Sequence, residues 1–219
     1  MEPRNLRLDR YILAQARCRR RRPRVCFVST ASGDSSVYVD RFFRAMAKHD
    51  CDPSALQLFR RDARDPADVV AQQDVLYVGG GNTANLLAVW RLHGVDRAIR
   101  RAWQNGCVLA GVSAGMICWF ESSCTDSFGP LRELRDGLGL LPGSACPHYD
   151  GERERRPIFH RLIRAKKLPP GVAADDGAAV HFIGRKIFRC VASRPHARAY
   201  RVELVEGNVV ETALPTQFL

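Results

Sequence analysis

In CVLAGVSAGMICWF, Cys107 to Phe120, a continuous apolar stretch gives way to small residues and then turns apolar again. Cys107 to Val112 has the length and content of a buried strand, and Met116 to Phe120 is compatible with a helix. Between them Gly111-Val112-Ser113-Ala114-Gly115 has GxSxG spacing. In a strand-to-helix setting that spacing makes a strained turn, in which the glycines allow close backbone approach and the serine hydroxyl is held out at the strand's C-terminal edge. Backbone N–H groups after the serine, at a helix N-terminus, can stabilise a developing oxyanion. Small residues suit any tight turn, so it is the placement that makes Ser113 a candidate nucleophile.

Upstream, apolar runs alternate with helical patterns as a doubly wound parallel sheet requires. Arg24 to Ser29 reads as a buried strand, followed by a turn at Ser32-Gly33-Asp34 and an amphipathic stretch from Val37 to Lys48. Ser54 to Phe59 and Asp74 to Val78 are further strands. Helices are expected over Thr83 to Arg91 and Val95 to Asn105, the second ending at Gly106. The cluster Gly79-Gly80-Gly81-Asn82-Thr83 follows a strand but lacks a P-loop lysine and GxGxxG spacing. A glycine turn there can supply a second oxyanion donor, and Gly81 is paired in that role with the N–H of Ala114.

Beyond Gly137, Gly and Pro become frequent, and Ala178 to Ile183, Lys186 to Ser193, Ala199 to Val205 and Asn208 to Thr212 read as antiparallel hairpin strands. The expected fold is α/β: a three-layer sandwich with a mostly parallel central sheet and a C-terminal antiparallel β extension. With 219 residues, 46% hydrophobic, and no dividing linker, one domain over 1–219 is expected, with 1–23 a basic N-terminal segment.

The formal charge of +11 raises nucleic-acid binding. Part of the excess is local, in Arg17, Arg19, Arg20, Arg21, Arg22 and Arg24, and no aromatic-interleaved RNA-binding pattern accompanies it, so a solvated basic surface is the preferred reading. No apolar run is long enough for a membrane span, and the N-terminus lacks a signal core; a cytoplasmic protein is expected. Eight scattered cysteines with no CxxC pair read as reduced, mostly buried thiols, with no zinc site.

A serine nucleophile needs a base, and there are six histidines. His49 and His93 lie near helix ends, His160 in an arginine-rich helix, and His181 and His196 in or near the hairpins. His148, in Cys146-Pro147-His148-Tyr149-Asp150, has its backbone limited by the preceding proline and is the preferred base. The third member is a carboxylate that orients the imidazole. Asp176 stands in a small, apolar segment just before a strand, although Asp-Asp-Gly also suits a plain turn. Asp126 and Glu121 compete with it.

With Gly79 to Thr83, Gly111 to Gly115, Pro147-His148 and Asp175-Asp176-Gly177-Ala178-Ala179 in that order, the chain from about Arg24 to Val205 resembles the peptidase E family of serine peptidases, which includes the cyanophycinases. The resemblance implies a fold similar to the class I glutamine amidotransferases, with serine in the place of their cysteine. It implies Ser113 as nucleophile, His148 as base, Asp176 as triad acid where several members have glutamate, and Gly81 and Ala114 as oxyanion donors. Asp126 is assigned to substrate binding. The implied activity is cleavage of dipeptides with an N-terminal aspartate, whose side chain needs a cation such as Arg155 or Arg156. Neither cofactor nor metal is implied. The expected partner is a short peptide, with no nucleic acid or membrane, and a homodimer is compatible with the family. The alternatives are a cyanophycinase-like or other hydrolase, and a catalytically silent binding protein on the same fold. Family members usually open with a short apolar strand and a glycine-rich turn; the expectation here is either a start upstream of Met1 or loss of that strand.

Overall fold

A computed structural model describes residues 5–18 and 22–219. Arg19, Arg20 and Arg21 of the basic cluster lie outside the described residues, as does Met1. The chain forms two compact units, Met1–Met116 and Ile117–Leu219. Among the described residues no helix is long and apolar enough to cross a membrane.

The first unit holds α1 (Arg7–Leu13), β1 (Arg24–Val28), α2 (Ser36–Met46), β2 (Asp52–Leu56), α3 (Pro66–Ala71), β3 (Val75–Val78), α4 (Thr83–His93), α5 (Val95–Gln104) and β4 (Val108–Gly111). The short α6 (Ala114–Ile117) follows. The four strands form one parallel sheet in the order β2-β1-β3-β4. Val25 and Phe27 of β1 and Val75 and Tyr77 of β3 share one sheet face, as a period of two requires, and pack on Phe42, Ala45 and Met46 of α2. Phe27 stacks on Phe42 at 4.9 Å between ring centroids. Fully burying a side chain of this size contributes about 1.5–3 kcal/mol. The N-terminal segment read as merely basic carries α1, whose Ile12 and Leu13 pack against this same core.

The second unit holds β5 (Phe120–Thr125), β6 (Arg132–Leu134), β7 (Leu141–Cys146), α7 (Arg155–Arg164), β8 (Gly171–Ala174), β9 (Ala178–Ile183), β10 (Lys186–Ala192), β11 (Ala199–Val205), β12 (Asn208–Leu214) and β13 (Thr216–Phe218). Six of these strands form a mixed sheet in the order β12-β11-β8-β7-β5-β6, and β13-β10-β9 form another. Within the six, β5, β7 and β8 run parallel, while β6, β11 and β12 join antiparallel. Phe159, Leu162 and Ile163 of α7 cover this sheet with Tyr149, Ala173 and Val202.

The architecture agrees with the α/β expectation of a parallel core and an antiparallel C-terminal extension. Three details differ. The second strand is Asp52–Leu56, displaced toward its N-terminus, because the arginine-rich residues after Leu58 are exposed and cannot sit in a sheet. The apolar run after Ser113 is helical only to Ile117, and Phe120 starts a strand whose residues are almost all buried. The hairpins divide between two sheets, β9–β10 in one and β11–β12 in the other.

Candidate active site

In the first unit the site is built by sheet register. β3 and β4 are parallel neighbours with Val78 opposite Gly111, so the turns that follow them, Gly79 to Asn82 and Val112 to Gly115, emerge side by side at the strands' C-terminal ends. The strand order reverses at β1, and the crevice beyond the C-terminal ends at such a reversal is where open α/β sheets bind ligands.

Ser113 has φ of 57°, in the left-handed region that non-glycine residues rarely adopt. The Met116 N–H donates to its carbonyl at 2.9 Å and the Gly115 N–H to the Val112 carbonyl at 3.0 Å, closing the turn. Both glycines of the motif are required by close approach. A Cβ on Gly111 would fall 2.0 Å from the Gly115 carbonyl oxygen, and one on Gly115 would fall 2.2 Å from that of Val78. Gly80 flanks the serine, for a Cβ there would meet the Ser113 Cβ at 3.1 Å. Its N–H donates to the Tyr38 hydroxyl at 3.2 Å. Gly81, at φ 137°, lies so close to the Ala31 carbonyl that a Cβ would stand 2.1 Å from its oxygen. Within this unit, and among the described residues, the N–H groups of Gly81 and Ala114 meet no acceptor, and Ser113 Oγ makes no hydrogen bond.

In the second unit the parallel pair β7–β8 plays the equivalent part. Cys146 lies opposite Ala173, so His148 and Asp176, two and three residues further on, leave adjacent strand ends. His148 Nδ1 and Asp176 Oδ1 are 2.7 Å apart. With Nδ1–H donating to the carboxylate, Nε2 is left as the basic nitrogen. His148 also has a left-handed backbone, φ 52°. The Tyr149 N–H donates to the Ala174 carbonyl at 3.1 Å, and the Asp176 N–H to Asp150 Oδ1 at 2.7 Å. Gly151 leaves room for the carboxylate, since a Cβ there would stand 2.4 Å from Asp176 Oδ2. Asp175 instead accepts from the Arg198 N–H at 2.9 Å and the Tyr200 hydroxyl at 3.4 Å. Burial raises its pKa.

The competing carboxylates are engaged elsewhere. Glu121 accepts from the Gly143 N–H at 2.9 Å. Asp126 is exposed, with Arg155 Nη2 at 3.6 Å. Arg155 itself is buried, 2.7 Å from Glu152 and donating to the Cys124 carbonyl at 3.3 Å. Arg156 is half exposed and forms an ion pair with Glu211. The sequence signals neither Gly151 nor Glu211: Asp150-Gly151 has the look of an ordinary turn, and Glu211 lies on a polar hairpin strand far along the chain. Several buried thiols are held protonated, whereas Cys124 is lowered by its hydrogen bond with Cys146 and by the Arg155 guanidinium. Burial pushes Cys26 and Cys190 up to about 11 and Cys107 up to about 12, and it raises Cys118 as well. A thiol held protonated is a poor nucleophile. Among the described residues no group of three or more His, Cys, Asp or Glu is arranged to hold a metal ion.

A family model described as Peptidase family S51 matches residues 1–190. The chain is similar to the uncharacterized peptidase YgaJ of Bacillus subtilis, 54% identical over 219 residues that cover 100% of this chain and 94% of the relative. It is also similar to the peptidase E of Shewanella denitrificans, 28% identical over 69% of this chain and 70% of the relative. Among solved structures, that of a peptidase from an acI-B1 actinobacterium superposes with a TM-score of 0.72 over 95% of this chain and 87% of that one, at 16% identity.

Proposed function

The chain belongs to peptidase family S51, and from that premise we propose that it is a serine peptidase hydrolysing short peptides, chiefly dipeptides with an N-terminal aspartate, through Ser113, His148 and Asp176. The observation that carries this reading is Ser113 at φ 57° in a turn whose two glycines admit no Cβ. Such strain persists only where the surroundings over-determine it, and it concentrates at functional sites. The His148–Asp176 hydrogen bond of 2.7 Å supports the other half of the triad.

In the proposed reaction His148 Nε2 takes the Ser113 Oγ proton as the oxygen attacks the scissile carbonyl carbon. The N–H groups of Gly81 and Ala114 receive the oxyanion, and Asp176 stabilises the imidazolium. The carbonyl re-forms, the peptide C–N bond breaks, and His148 delivers its proton to the leaving amine. Water, deprotonated by His148, then attacks the acyl-enzyme; Ser113 regains a proton and the N-terminal fragment leaves as the acid. For the substrate's charges, Asp126 is proposed to meet the α-ammonium. Arg156 is proposed to meet the aspartate side chain. Arg155, buried behind Asp126, contributes by holding that carboxylate.

The test is hydrolysis of Asp-Leu and of an Ala-Leu control by the purified chain and by Ser113→Ala. Cleavage of Asp-Leu alone, lost in the variant, is the expected result. If well-folded protein leaves both peptides intact, the aspartyl dipeptidase assignment fails in favour of another substrate or a silent relative; cleavage that survives in Ser113→Ala removes the nucleophile.

A further inference from the structure

Tyr149 follows His148 directly in the chain, and its ring is buried. Its hydroxyl donates to Glu211 Oε2 at 2.6 Å, and His160 Nε2 lies 2.9 Å from both oxygens. Glu211 stands on β12, in the hairpin past the residues that the family model matches. It also pairs with Arg156, whose Nε is 3.1 Å from Oε2. The Arg156 guanidinium lies over two rings, 5.1 Å from the centroid of Tyr149 and 5.0 Å from that of Tyr200. The Tyr200 hydroxyl donates to Asp175, the residue before Asp176.

Two chains of contact therefore leave one carboxylate. One runs through Tyr149 to His148, the other through Arg156, Tyr200 and Asp175 to Asp176. His148 needs such support, because its φ of 52° is one that a non-glycine residue holds only when its neighbours impose it. With Tyr149 donating O–H and His160 donating Nε2–H, every polar group facing Glu211 is a donor, so a neutral amide cannot replace the carboxylate without turning an N–H toward one of them.

We propose that Glu211 is a positioning residue, holding His148 and Asp176 in their mutual geometry through Tyr149 and Arg156. This rests on the reading of His148 as the general base.

The test uses the full chain with Glu211→Gln, Tyr149→Phe and the double variant. Tyr149→Phe keeps the buried ring and deletes only the hydroxyl, so it carries the test if Glu211→Gln does not fold. On Asp-Leu, each single variant is expected to lower kcat about tenfold to a hundredfold, the scale of a small misplacement of a catalytic group, with KM nearly unchanged in Tyr149→Phe and moved in Glu211→Gln, which releases the Arg156 guanidinium from its ion pair. The double variant is expected to be no worse than the poorer single one, since both changes break the same link. The acid limb of the kcat/KM profile moves to lower pH, because a loosened Asp176 favours the imidazolium less. Independently of activity, the low-field Nδ1–H proton resonance of His148, assigned by its loss in His148→Ala, shifts or broadens in Glu211→Gln or Tyr149→Phe. Folded variants with wild-type kcat, pH profile and resonance overturn the proposal. Should His148→Ala keep full activity, the base assignment falls, and the resonance alone decides whether Glu211 orders the His148–Asp176 pair; an unmoved resonance overturns it.

Discussion

Ser113 and His148 both hold backbone angles that L-residues avoid, 57° and 52° in φ, and each does so in the turn just past a parallel strand. Glycine makes room for each. Gly111 and Gly115 clear the serine turn, and Gly151 clears the carboxylate oriented toward His148. The first two were legible because GxSxG between a strand and a helix has a steric meaning. Gly151 was not, since what it avoids is Asp176, which becomes its neighbour only when β7 and β8 pair. A Gly151→Ala variant tests this contact. Its Cβ, 2.4 Å from Asp176 Oδ2, must push the carboxylate aside, so kcat on Asp-Leu is expected to fall about tenfold or more with the fold retained, as monitored by steady-state kinetics and circular dichroism.

At the scale of elements, the helices with clear stop signals were read to within a few residues. Gly94 ends α4 and begins α5 in one left-handed residue, φ 69°, its N–H reaching the Arg91 carbonyl at 3.4 Å and its own carbonyl accepting from the Ala98 N–H at 3.1 Å. A Cβ at Gly94 would meet only the mobile tip of Arg97, at 3.1 Å. The cost of Gly94→Ala is therefore mainly that of the backbone angle, about 1 kcal/mol, and a melting scan should show Tm lower by about 2–4 °C. Activity should be untouched if α4 and α5 only scaffold the sheet. By contrast β5, β7 and β8 escaped the sequence reading. β5 mixes serines with apolar residues and yet is nearly all buried: Ser122 bonds across to the Gly143 carbonyl at 3.3 Å, while the Ser123 hydroxyl is buried without a hydrogen-bond partner among the described residues. β8 is only four residues long, and its small side chains carry little β-signal.

At the scale of the whole molecule, acid stability tests the Glu211 network apart from catalysis. Burial alone would raise the Glu211 pKa, but Arg156, Tyr149 and His160 outweigh it and bring it from 4.5 to about 2. A carboxylate whose folded pKa lies below its unfolded one contributes stability that is fully present above about 4.5 and lost as pH falls toward about 2. The Tm difference between wild type and Glu211→Gln should accordingly be largest near neutrality and shrink between about pH 5 and about pH 2. A difference that stays constant across that range would mean the ionised carboxylate is not what stabilises the network. By itself, the sequence determined the α/β class, the family and the strained Ser113 turn, and it singled out His148 as the preferred base with Asp176 first among competing carboxylates, because those depend on local pattern and residue chemistry within a few positions. Only the tertiary structure decided which carboxylate meets His148, that Arg155 is buried while Arg156 pairs with Glu211, and that a hairpin residue 63 positions past His148 (211 − 148) accepts from the hydroxyl of Tyr149. Those outcomes follow from strand register, which brings distant residues together by backbone pairing that no local pattern encodes.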